Sequence, residues 1–169
     1  MGVTIIEDSR QQSGKHDHKN EWWGREGVSI IRHKLAFGDY ALPPVVSVDS
    51  KKDIQELASN IDQQHARFRN ECVAARDAGC QLVILVENLD GVRSLADLAL
   101  WKESQESFMR RKRAVRPLDG RRLAKACQTM SDRYGVRFEF CRPEESAARI
   151  TEILLEGGAR HDGADGSSS

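Results

Sequence analysis

The stretch that most restricts how this chain can fold is Gln81-Leu82-Val83-Ile84-Leu85-Val86-Glu87. Its centre is an unbroken apolar run with no polar face to turn toward water. Such a run predicts a strand covered on both sides. Helices must then flank a sheet, and the order of the other elements agrees. Val3-Thr4-Ile5-Ile6 predicts a first strand ending in Glu7-Asp8, and residues 9–21 read as a polar loop. Trp22 and Trp23 sit in a stretch, 21–26, too short to assign. Residues 27–33, 38–42 and 45–49 predict three strands of an antiparallel meander, with Pro43-Pro44 in the last turn.

A helix follows, with Ile54, Leu57, Ile61, Phe68, Cys72 and Ala75 on one face and a step of seven across a turn at Gln64 and His65. Gly79 stops it. Beyond the buried strand, Leu95, Leu98 and Trp101 mark a short helix, residues 118–134 a longer one, 136–140 a strand and 144–155 a last helix. The expected fold class is α/β, a mixed central β-sheet flanked by helices. One domain is expected over 1–156, with a core at 3–88 and a helix-and-strand extension at 94–156. The Gly-, Asp- and Ser-rich residues 157–169 read as a disordered tail.

Lysine plus arginine equals aspartate plus glutamate at 26 each, so net charge selects no partner. No apolar stretch approaches the roughly 20 residues a membrane helix needs. The N-terminus lacks a signal-peptide layout. The four cysteines, Cys72, Cys80, Cys127 and Cys141, form no C-x-x-C pair. Reduced thiols packed as small hydrophobes, and a cytoplasmic location, are expected.

Two carboxylates stand out. Asp39 opens one predicted strand and Asp49 closes the next, so a hairpin places them side by side at its open end. Two such groups repel unless a cation shares them. Lys51 follows two residues later, on the same face if the strand continues that far. Two oxygen ligands for Mg²⁺ or Mn²⁺ beside an ammonium suit phosphodiester hydrolysis. The alternative is that each Asp merely faces solvent at a strand end.

Several blocks resemble, in order, the nuclease domain of the XPF-type family within the PD-(D/E)XK superfamily, above all its stand-alone phage and prophage members. Ile5-Ile6-Glu7-Asp8-Ser9-Arg10 resembles the opening strand with its D-x-R, and Leu35-Ala36-Phe37-Gly38-Asp39-Tyr40 the L-x-x-G-D-Y. Val48-Asp49-Ser50-Lys51 with Glu56-Leu57 resembles V-E-R-K with its downstream acid, Arg67-Phe68 with Glu71 the R-[FL] element, and Leu85-Val86-Glu87 the buried strand. Together they span residues 4–88. Two departures stand: Asp49 and Ser50 replace the family's Glu and Arg, and no tandem helix-hairpin-helix follows.

The resemblance implies a restriction-endonuclease-like core. It also implies a Mg²⁺- or Mn²⁺-dependent endodeoxyribonuclease acting on branched or flap DNA in recombination, repair or phage DNA processing. Asp39, Asp49, Lys51 and Asp8 would be catalytic, and Asp39, Asp49, Asp8 and Glu87 would bind metal. The alternative for Asp8 is a turn cap through Ser9, for Glu87 a strand end in water, and Glu56 reads as a partner of Lys51 or a plain helical glutamate. Arg10 either binds phosphate or pairs with Asp8. DNA backbone contacts are expected from Arg10, Lys15, Lys52, Arg67 and the run Arg110-Arg111-Lys112-Arg113, which reads alternatively as a solvated linker. His16 and His18 fall in the same basic loop as Lys15. A second copy of the chain, or a phage or host protein, would supply DNA specificity. The rival expectation is a DNA-binding module with an inactive core.

Overall fold

In the computed structural model, residues 2–12, 14, 17–42 and 46–164 are described, without the side chains of 42 and 158–164. The apolar run forms β5 (Gln81–Glu87), buried along almost its whole length. Its side chains alternate between two cores. Leu82, Ile84 and Val86 enter one, and Val83 and Leu85 the other. β5 is central because its neighbours on both sides run parallel to it: β4 (Val46–Lys51) and β6 (Arg137–Cys141). Beyond β4 come β3 (Tyr40–Leu42), β1 (Thr4–Asp8) and β2 (Ser29–His33), giving the order β2-β1-β3-β4-β5-β6. The fold is therefore α/β with a mixed six-stranded sheet, as expected.

The meander is only half right. β3 and β4 form the expected antiparallel hairpin, but β3 pairs on its other side with β1, and β2 runs parallel to β1 at the sheet edge. The cause is α1 (Asp17–Arg25), a helix lying inside the stretch expected to be a loop. A helix between β1 and β2 returns the chain to the same end of the sheet, which makes the pair parallel. Pro43, Pro44 and the expected start of the fourth strand, Val45, lie outside the described residues.

Four helices cover one face. They are α2 (Ile54–Asp62), α3 (His65–Asp77), α4 (Leu95–Leu100) and α6 (Gly120–Tyr134). The single predicted helix over 54–78 divides into α2 and α3 at the anticipated turn, where the α2 C-cap Gln63 donates its N–H to Ser59 O. The other face carries α1 and α7 (Ser146–Ala164). α7 runs well past residue 155, so residues 157–164 of the expected tail are helical, and residues 165–169 lie outside the described residues. Gly157 explains the continuation: a Cβ there would meet Val46 Cγ2 at 1.8 Å, so glycine lets the helix lie directly on β4. An unpredicted short helix, α5 (Gln105–Arg110), leads into the basic run and carries its first residue, Arg110.

All four cysteines are unpaired thiols. Trp23 is fully buried, stacks edge-on against Tyr40 and donates Nε1–H to Thr151 Oγ1. Trp101 donates to Asp90. Both are packing residues. No helix among the described residues is long and apolar enough to cross a membrane.

Candidate active site at the ends of three strands

The register builds the site. Glu7 pairs with Tyr40 and Tyr40 with Val48. One residue further on, Asp8, Asp39 and Asp49 therefore lie side by side across three adjacent strands, on one face. β4 continues to Lys51, which pairs with Val86, so alternation puts Asp49 and Lys51 together toward α2 and α3. All four residues line one open cleft of about 890 Å³.

Asp39 is delivered by a turn. Gly38 has φ +74°, and a Cβ there would meet Ser47 Oγ at 2.1 Å, so only glycine fits without displacement. Asp39 N–H then donates to Val48 O (2.7 Å), and its Oδ2 accepts from Ser50 N–H (2.8 Å). Burial, reinforced by Asp49, raises the Asp39 pKa well above the usual carboxylate range. Asp49 is buried and lies 2.6 Å from Lys51 Nζ. Lys51 also donates to Asn60 Oδ1 (3.0 Å) and rests 5.4 Å from the Phe68 ring centre. Burial opposes the ammonium, but Asp49, Asp39 and Glu56 together outweigh it and leave the Lys51 pKa raised. Lys51 is thus held as a cation.

Asp8 reaches the same face but is already engaged. Its carboxylate accepts from Arg10 Nε (2.9 and 3.2 Å) and from Leu35 N–H (3.2 Å). It thereby sets Arg10 at the cleft and anchors the start of the turn that delivers Asp39. Glu56 caps Lys52 N–H (2.9 Å), closing the first turn of α2, while the Lys51 amine takes Asn60 instead.

Glu87 does not join the cluster. Val86 shares the Lys51 face, so Glu87, next in β5, points to the opposite side. There it pairs at 2.5 Å with Lys19 of α1, which is almost completely buried. The expectation of a fourth acid beside the metal is corrected by this alternation. Lys19 looked like part of a solvated basic loop, because a buried lysine carries no apolar signal.

Of the residues expected to contact DNA, Arg10, Lys52 and Arg67 line the cleft. Lys15 and His16 lie outside the described residues. His18 is exposed on α1. In the basic run, Lys112 and Arg113 are exposed. Arg110 pairs with Glu106 one helical turn away. Arg111 is a structural residue rather than a surface contact: its guanidinium grips Glu103 through two hydrogen bonds (2.8 and 2.6 Å), and Glu103 also accepts from Leu118 N–H.

Asn60 carries no signal in the sequence, and Glu71 stands out there only as a neighbour of Arg67-Phe68. Glu71 belongs to the α3 face bearing Phe68, Cys72 and Ala75, so an acid on a buried stripe was the available signal. It accepts from Gly38 N–H at 2.8 Å, and burial, with Asp49 nearby, raises its pKa. The same surroundings push the Cys72 thiol up to about 12, which leaves it inert.

No family model matches the sequence, and no curated protein matches it significantly. Solved structures do match. XPF from Aeropyrum pernix superposes with a TM-score of 0.61 at 19% identity, over 96% of this chain and 68% of that one. XPF from Aeropyrum pernix in complex with DNA gives a TM-score of 0.62 at 17% identity, over 99% of this chain and 68% of the other. By these likenesses, the chain has an XPF-like fold.

Proposed function

We propose that this protein is a metal-dependent DNA endonuclease of the PD-(D/E)XK type that hydrolyses phosphodiester bonds in flap or branched DNA. The observation that carries this reading is the meeting of Asp39, Asp49 and Lys51 at one cleft, on an XPF-like sheet. One XPF structure of that fold was solved with DNA.

The donor set fits a hard divalent ion. Asp39 and Asp49 are adjacent carboxylates, and the charge of Asp49 disfavours that of Asp39, a repulsion that a shared divalent ion relieves. Among the described residues, no three His, Cys, Asp or Glu side chains form a closed cage. The fit is therefore to Mg²⁺ or Mn²⁺ held by two carboxylates, with water and substrate supplying the other oxygens. A bound ion supplies a water of lowered pKa and offsets charge on the phosphate. Lys51, kept charged and fixed between Asp49 and Asn60, contacts the scissile phosphate or orients the attacking water. Arg10, Lys52 and Arg67 hold backbone phosphates along the cleft, with Arg10 aimed by Asp8. Participation in recombination, repair or phage DNA processing, and a second protomer or another protein that adds specificity, belong to the same proposal.

The test is direct. Flap, fork, four-way junction, linear duplex and single-stranded DNA are incubated with the protein in Mg²⁺ or Mn²⁺. Wild type cleaves a branched substrate, and Asp49→Ala loses about 10³-fold or more of the rate while still binding DNA. Identical behaviour of the two proteins would sink the enzyme and leave the DNA-binding module.

A further inference from the structure

We infer that Glu71 is a positioning residue for this site: through the Gly38 amide it fixes the turn that presents Asp39 to Asp49. The inference rests on the nuclease reading above. Four hydrogen bonds frame the turn, and they come from three elements, α3, β4 and β1. Glu71 Oε1 on α3 accepts from Gly38 N–H (2.8 Å). Ser47 on β4 donates its hydroxyl to Phe37 O (2.8 Å). Val48 O on β4 accepts from Asp39 N–H (2.7 Å) and Asp39 O accepts from Asp8 N–H on β1 (2.8 Å).

Three of these bonds tie the turn to the sheet. Only the one from Glu71 ties it to the helical layer that also holds Lys51 through Asn60 and Phe68. Gly38 occupies a left-handed conformation (φ +74°) with no side chain of its own to hold it there. Releasing its amide frees the backbone next to Asp39 to relax, and a small displacement of a reacting group is costly to rate. Glu71 needs only an acceptor oxygen for this task, not a charge.

That distinction makes the inference testable. Glu71→Gln keeps the acceptor, whereas Glu71→Ala removes it. Glu71→Met, which fills the space without an acceptor, replaces the alanine variant if that one does not fold. Cleavage of flap DNA in Mn²⁺ is measured together with hydrogen exchange of the Gly38 amide by NMR. Glu71→Gln is expected within about threefold of wild-type kcat. Glu71→Ala is expected to lose about 10- to 100-fold in kcat with KM unchanged, and to exchange the Gly38 amide at least about tenfold faster. The inference fails if Glu71→Ala keeps its kcat, if Glu71→Gln falls as far as Glu71→Ala, or if Gly38 exchange does not change. Should wild type not cleave at all, the nuclease reading fails by itself, and the exchange rates still decide whether Glu71 holds the turn.

Discussion

Asp39 occupies a position where a carboxylate works against the metal-free fold. Burial and the neighbouring Asp49 both disfavour its charge, and only Ser50 N–H and Lys51 oppose them. Asp39→Asn keeps an oxygen for Ser50 and removes the repulsion. The variant should therefore be more stable than wild type by about 1–2 kcal/mol, a rise of about 2–8 °C in Tm, while losing cleavage. The pH dependence has a definite sign. A carboxyl whose pKa rises on folding contributes stability that is complete below its unfolded value, near about 4, and is lost as pH climbs through the folded value. The Tm gap between Asp39→Asn and wild type should thus close at acid pH and widen toward neutrality. Thermal melts at several pH values check this, and a gap that grows on acidification would contradict it. Under the proposed function, Mn²⁺ should raise the Tm of wild type but not of the variant, because only a species that binds the native state shifts the equilibrium.

At the scale of elements, what could be read from sequence was whatever alternation or helical spacing encodes by itself. The side-by-side placement of Asp39 and Asp49, and the shared face of Asp49 and Lys51, needed only a hairpin and a period of two. What could not be read depended on strand order or on a buried charge. The parallel pairing of β2 and the true face of Glu87 require the inter-strand register, which no local pattern carries. The α1 helix escaped because its buried face is built on Lys19 and Trp23, and Lys19 reads as solvent-facing. α7 was cut short because paired glycines at 157 and 158 resemble a terminator. Gly157 instead serves close packing, which gives an element-scale prediction. Gly157→Ala gains up to about 1 kcal/mol of helix propensity but forces a methyl into Val46. Overpacking of this kind costs about 1–3 kcal/mol, so a net loss of about 1–2 kcal/mol is expected in denaturant melts. Val46→Ala should restore most of it in the double variant, since the two sites share one contact.

For the whole molecule, equal numbers of acidic and basic residues mean that any DNA affinity must come from where charges sit rather than from their sum. The basic run is joined to the cleft: Ser107 of α5 accepts from Gln55, a cleft residue, and itself donates to Glu103. Arg111 locks onto the same Glu103, whose side chain is wholly buried. Two kinds of cation therefore share one short segment. Arg111 is consumed by the fold, and Lys112 and Arg113 are exposed. Their substitutions should separate cleanly. Arg111→Ala strands a buried carboxylate and should cost about 3 kcal/mol of stability. Lys112→Ala with Arg113→Ala should leave Tm unchanged but weaken flap-DNA binding and lower the slope of log affinity against log salt by about 1–2. The slope is the informative quantity, because it counts phosphate contacts whatever the substrate's structure. An unchanged slope in the double variant would make the segment a solvated turn and confine DNA contact to the cleft itself.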